Sequence, residues 1–504
     1  NGEMIELDAE KVLSIPRKIR SLEVVRRGFM SNFLFQNIAN IFNAPQAVID
    51  IISSFEPVGE GELAGVTREE RADVSVNDDG EVALDEAFVI GQTQDIFGEK
   101  IYSSITGVIE EKAAEIVETT PEKQMIKKLS ETFKTDIVKP IIDITAQKYD
   151  SDLKTKDKND LQKQLEQKAE KIVTQEVSDY TIKKAEIESQ RKEALSDLIG
   201  TGKTEDEVND EFDTLIAEAT SHFKERITEY LEETLPTFTT EAVRTAETKK
   251  KERQKESIED SVRDHLRGFA RTIPSFLMAY GNENTTLENF DALIPDNVFK
   301  EVTSISLAEF RFLRDGGTYT DAETGEEKEY QGKLFDPVVF NDSVKEFLSL
   351  KKRLANYFDE SNTEDIFDYI PPQKTNQIFT PKKVVKQMVD MLEEENPGCF
   401  DDPDKTFADL YMKSGLYITE IVKKLYNSEK MIALFPDSEE RLKHIFEKQV
   451  YGLAPTEIIY RIAISFILGF KDNASEIRHN FRMLDALPYA KDGTLEKKLD
   501  ELFC

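Results

Sequence analysis

The residues from Lys405 to Leu425, KTFADLYMKSGLYITEIVKKL, carry the strongest chemical signal in this sequence of 504 residues. An apolar run ends in Asp409, a short turn holds Lys413, Ser414 and Gly415, and an amphipathic pattern begins at Tyr417. That order predicts strand, tight turn and helix. A carboxylate at a strand end beside a glycine turn is either scaffold or the rim of a nucleotide-type cofactor pocket, where backbone must come close to ligand.

Other chemistry-bearing letters are weaker. DLIGTGKTEDEV, from Asp197 to Val208, imitates a phosphate-binding loop, but that pattern needs glycine where Asp197 stands and a buried strand ahead of it. The preceding ESQRKEALSDLIG reads as a polar helix, so Gly200 is expected to end one helix and Thr204 with Glu207 to box the start of the next. His222, His265, His444 and His479 are scattered, without metal-ligand spacing, and no metal site is expected. Acidic-x-Lys strings such as Glu326 to Lys328 arise by chance among 99 acidic and 66 basic residues.

One basic island stands out. Arg244, Lys249, Lys250, Lys251, Arg253 and Lys255, followed by Arg263, Arg267 and Arg271, interrupt an acidic protein. Such a cluster suits phosphate contacts through counterion release. A helix face paired with Glu247, Glu252 and Glu256 is the favoured alternative, because charge runs are usually solvated faces.

These residues sit in a chain too long for one hydrophobic core. Hydrophobic content of 39% with 33% charged residues describes much solvated helix surface, and the formal charge of −33 opposes nucleic acid except at a local basic groove. Two cysteines, Cys399 and Cys504, make no disulfide framework or four-thiolate zinc site, which suits a reducing cytoplasm. No window reaches the ~18 consecutive apolar residues of a membrane span, and the start lacks the order of a secretory signal. The first residue is not methionine, as expected of a fragment or processed product.

The elements that must position the signals fall into four stretches. Residues 1–90 are read as a helical segment with an acidic linker. Val24, Phe29, Phe33, Leu34, Ile38 and Ile41 recur at helical spacing within it. Residues 91–255 are a charged helical module in which Leu161, Leu165, Ala169, Ile172, Val173, Val177 and Tyr180 form one stripe, and Pro121, Pro140 and Gly200 to Gly202 break the run. Residues 256–370 are helical with one hairpin, GGTYTDAETGEEKEYQGKLF. From 371 to 504, extended KTFADLYM and KQVYGLA alternate with amphipathic helices, the order of a parallel α/β sheet. The fold expected is mostly α, with an extended helical region followed by a C-terminal partial α/β domain.

Taken in order, NQIFTPKKVVKQMVDMLEEENPG, the Asp409 stretch, EKQVYGLAPTEIIYRIAISFILGF and NFRMLDALPYA resemble the cofactor half of an adenine-specific DNA methyltransferase of the restriction-modification kind. The resemblance implies a Rossmann-like fold binding S-adenosylmethionine. Phe379, Thr380 and Pro381 match the Phe-Thr-Pro element that covers the cofactor. Asp409 to Gly415 align with the Asp-Pro-x-x-Gly-Ser-Gly turn for its methionine part, with Lys413 and Leu410 as departures. Ala454 falls where an acidic ribose ligand is expected, so that hydrogen bond is lost or passes to Glu457, and Asp485 would lie beside the adenine. Asp409 and Val450 are 41 positions apart, longer than the ~20-residue step of a minimal unit, so NSEKMIALFPDSEERLKHIF is expected to be an inserted helix pair.

No (Asn/Asp)-Pro-Pro-(Tyr/Phe) catalytic motif follows Asp485; DYIPPQ, at Asp368 to Gln373, comes too early and lacks the aromatic. No catalytic residue is therefore assigned. LSIPRKIRSLEVVRRGFMSNFLFQNI and RDHLRGFARTIPSFLMAYG extend the resemblance loosely to large helicase-methyltransferase restriction proteins, which implies a helical coupler, double-stranded DNA as partner, and motor, nuclease and further methyltransferase segments elsewhere in the parent chain. The competing expectation is a non-catalytic acidic interaction protein that binds a protein partner or mimics DNA.

Overall fold

The computed structural model describes residues 9–36, 42, 44–58, 68–77, 79–322, 324–362, 364–371, 379–469 and 477–503. It divides into two compact units, one of residues 69–257 and one that joins 1–68 to 258–504. Helices dominate both, and among the described residues the strands form two small sheets.

Near its start the chain forms helix α1, Ala9–Arg26. The apolar spacing predicts one or two buried-face helices over this stretch, and the first of them stops short of Phe29. Gly28 and Phe29 both take left-handed backbone, φ 59° and 65°, and turn the chain so that Phe29 and Leu34 are buried while Phe33 is exposed. Ile38 and Ile41 lie outside the described residues.

The 69–257 unit is built on α2, Glu99–Thr119; α3, Glu122–Phe133; α4, Thr155–Ser196; and α5, Glu205–Ala270, whose last residues belong to the other unit. Pro121 caps α3, where a missing N–H costs nothing. Leu161, Leu165, Ala169, Val173, Val177 and Tyr180 are buried on α4, and Ile172 is half-buried. Tyr180 stacks on Phe223 of α5 at 4.5 Å. Between α4 and α5 it is Gly202, not Gly200, that takes the left-handed cap, because Gly200 lies inside a four-residue helix, Leu198–Thr201, opened by the Asp197 carboxylate. Thr204 and Glu207 form the reciprocal box at the start of α5, with Thr204 N to Glu207 Oε2 at 2.8 Å and Glu207 N to Thr204 Oγ1 at 3.3 Å.

In the other unit, α5 leads to α6, Ile273–Tyr280, then to the hairpin of β1, Gly317–Thr320, and β2, Glu327–Tyr330, and to α7, Pro337–Leu354. Seven phenylalanines, Phe269, Phe276, Phe290, Phe299, Phe310, Phe335 and Phe340, link ring to ring at 5.3 to 6.3 Å and make the core here. Helix α1 packs on α7.

The C-terminal part begins with α8, Lys382–Glu395, followed by β3, Phe407–Asp409, and α9, Leu416–Asn427. An inserted pair, α10, Glu429–Leu434, and α11, Ser438–His444, precedes β4, Val450–Ala454. Then come α12, Glu457–Ile467; β5, Asn480–Met483; and α13, Ala486–Lys491. The three strands are parallel in the order β3-β4-β5, with Asp409 opposite Gly452 and Ala454 opposite Met483. Parallel pairing brings their carboxyl ends to one edge.

Candidate functional site

At that edge Asp409 ends β3. Its Oδ1 accepts from Tyr411 N at 3.1 Å, which folds the chain back on itself. Met412 N then donates to Leu453 O at 2.7 Å, and the Met412 side chain is fully buried over β4. Gly452 makes room for it: a Cβ there would lie 2.9 Å from Met412 Sδ. Ser414 is buried, its Oγ accepting from Leu416 N at 3.3 Å, and Gly415 caps α9 with φ 83°.

The turn has an electrostatic direction. Burial pushes the Asp409 carboxyl above its ordinary value, and the Tyr411 hydrogen bond offsets this only in part. Among the described residues the Ser414 and Gly415 amides, both on buried residues, donate no hydrogen bond, and they lie at the positive end of the α9 dipole. Lys413 projects its Nζ over the Tyr411 ring, 6.0 Å from the centroid.

The remaining expected residues lie on elements around this turn. Phe379 packs on Phe367 at 4.8 Å, and Phe367 in turn meets Phe466 of α12 at 4.9 Å. Thr380 is half-buried and Pro381 caps α8, which is tied to α9 by Lys424 bridging Asp390 and Glu393, both at 2.7 Å. Ala454 is fully buried. Glu457 opens α12, accepts from Tyr280 OH at 3.4 Å and faces Arg461 at 3.7 Å. Asp485 follows β5, half-buried, and caps α13 by accepting from Leu487 N at 3.1 Å. Thr456 carries no motif in the sequence. Its Oγ1 is buried just past the end of β4 and has no hydrogen-bond partner among the described residues.

Apart from Lys251, the basic island is engaged within each unit. In the 69–257 unit Arg244 reaches Glu86, Lys249 reaches Glu252 at 2.7 Å and Lys250 lies 3.8 Å from the buried Glu247. Arg253 donates to Ser151 O and faces Asp157, Lys255 donates to Gly80 O, and Lys251 is half-buried. In the other unit Arg263 pairs with Glu259 and Asp260, Arg267 with Asp264 and Asn32, and Arg271 donates to Pro57 O.

His265 is buried against Phe55 O, His444 reaches Pro403 O, and no group of acidic, histidine or cysteine side chains could hold a metal among the described residues. No helix among them is long and apolar enough to cross a membrane. Of DYIPPQ, Pro372 and Gln373 lie outside the described residues.

No protein-family model matches the chain, and no solved structure matches it. A curated protein named "Uncharacterized adenine-specific methylase", from Mycoplasma pneumoniae, is 26% identical over 98 residues. The match spans 19% of this chain and 23% of that protein's length.

Proposed function

We propose that residues 371–504 bind S-adenosylmethionine as part of an adenine-specific DNA methyltransferase. One observation carries the reading: a desolvated aspartate ends the first of three parallel strands and is followed by amides that donate no hydrogen bond among the described residues and by a left-handed glycine at the start of α9. The donor set fits the cofactor. Asp409 would accept from its ammonium, the Ser414 and Gly415 amides would face its carboxylate, Thr456 or Glu457 would take a ribose hydroxyl, and Asp485 would lie at the adenine. Phe379, Thr380 and Pro381 would cover it, and Lys413 would add a cation on the carboxylate side. The cofactor would supply a methyl group on a cationic sulfur. The likeness to a protein named as an adenine-specific methylase supports this in general terms.

On the same reading the parent enzyme is a cytoplasmic restriction-modification protein acting on double-stranded DNA. Residues 1–90 would end a motor-like region, 91–255 would couple it, and 256–370 would lead into the methyltransferase. Calorimetry with S-adenosylmethionine tests the core claim: heat of binding is expected for the wild type and none for Asp409→Ala. Equal heats from the two would sink the assignment.

A second reading, a non-catalytic acidic interaction protein, is favoured by the intramolecular pairing of the basic island within a chain of charge −33. That protein would bind no duplex DNA even at low salt.

A further inference from the structure

A cavity of about 510 Å³ opens beside α6, α7 and the end of α12. Leu348, Leu354, Ile366 and Phe466 give it an apolar side, and Lys351 enters from α7. Lys351 Nζ donates to Met278 O at 2.8 Å and to Leu277 O at 3.4 Å, near the C-terminal end of α6, where the dipole favours a cation. This cap accounts for a lysine at the position, but it does not use the whole group. An ammonium has three donors, and among the described residues no carboxylate pairs with this one. Burial pulls its pKa down to about 8, the mark of a cation lacking a counter-charge.

The polar neighbours offer donors as well. Asn282 and Asn356, both exposed, also line the cavity; Asn282 Oδ1 accepts from Asn284 N and Asn356 Oδ1 from Phe358 N, so their NH2 groups are not used in these bonds. At the rim, Lys352 and Glu283 face each other at 3.4 Å and cancel in charge.

We propose that this cavity binds a small organic monoanion with an apolar body, its carboxylate held by Lys351. One half-buried ammonium balances one negative charge, whereas a dianionic phosphate would keep an uncompensated charge against the apolar side. The volume lies within the range of small-molecule sites. S-adenosylmethionine is excluded as the occupant by its own chemistry, since its ammonium and sulfonium make it a net cation. The inference is therefore independent of the proposed function.

Calorimetric titration of sodium octanoate into the full chain tests it. Saturable binding is expected, weakened about tenfold or more in Lys351→Met and changed by less than about twofold in Lys352→Met. Lys351→Met keeps an apolar stem but also removes the α6 cap. Ala355→Trp, which fills the cavity with Lys351 in place, is the second variant and is expected to lose binding while its circular dichroism is retained. Octanoate heats equal in the wild type, Lys351→Met and Ala355→Trp would overturn the proposal. So would no heat from octanoate at all, octanol binding as tightly as octanoate, or octyl phosphate binding more tightly than either.

Discussion

Gly415 lies against the end of the Ile467 side chain. A Cβ at position 415 would be 2.8 Å from both Ile467 Cδ1 and Cγ1, and the backbone there has φ 83°. The two constraints are separable, because a side-chain tip can move and a left-handed backbone cannot. Gly415→Ala is expected to lower stability by ~1–2 kcal/mol through the left-handed penalty, with a steric cost added. Combining it with Ile467→Ala should relieve only the steric share. Urea unfolding of the two single variants and the double variant measures the coupling, and strictly additive effects would show that the two side chains do not meet.

Asp409 sets a cost on the folded chain that depends on pH. Its folded pKa lies above the ordinary 3.8, so the folded state holds the proton more tightly than the unfolded state. Stability from this group is therefore fully present below 3.8, falls as pH rises through the raised folded value, and stays low above it. Asp409→Asn keeps the Oδ1 acceptor for Tyr411 N and removes the buried charge. The variant should be more stable than the wild type at pH 7, with an advantage that shrinks toward pH 4. An advantage constant with pH would mean that Asp409 is as solvated in the fold as out of it.

The elements that could be read were those with unambiguous local grammar. An apolar run closed by Asp409, a Glu-Thr-Gly turn and the Leu161 to Tyr180 stripe each have one good local solution. Spacing failed at Phe29 because a buried phenylalanine on a left-handed turn leaves the same apolar mark as one on a helix. Gly200 and Gly202 are alike as letters, and the Asp197 carboxylate, by opening a short helix between them, decides which one caps. At the candidate site the aspartates and the glycine turn carried a signal, while Thr456 and Lys351 carried none. A threonine after a strand and a lysine in the run LKKRL look like surface residues until packing takes their polar atoms from water.

Tyr149 and Glu247 form a buried hydrogen bond of 2.7 Å in the 69–257 unit. Glu247 Oε2 has no hydrogen-bond partner among the described residues, and Lys250 is 3.8 Å away. Tyr149→Phe would leave both carboxylate oxygens unbonded in a dry site, and a loss of ~1–3 kcal/mol is expected. Adding Glu247→Leu should recover much of it, since removing both partners costs less than orphaning one. Thermal unfolding of the two variants decides, and a Tyr149→Phe curve that overlays the wild type would show that water reaches Glu247.

DNA binding, if the island provides it, must come from cations that can leave their partners cheaply. Arg271 is held by Pro57 O in a site whose burial lowers its pKa, and Lys250 is the ionic neighbour of the buried Glu247. Both are costly to recruit. The Arg244–Glu86 and Lys249–Glu252 pairs are partly exposed, and pairs of that kind contribute ~0–1 kcal/mol, so phosphate can replace the carboxylate with little loss. Lys251 sits half-buried on the same helix between them and Arg253. Fluorescence anisotropy with a labelled mixed-sequence duplex, repeated across salt, is expected to give a log affinity against log salt line for the wild type. The triple variant Arg244→Ala, Lys249→Ala, Lys251→Ala should flatten that slope by roughly 3, about 0.9 for each phosphate no longer neutralised. Binding with an unchanged slope would move the DNA surface elsewhere on the chain, and no binding at low salt would favour the acidic interaction protein.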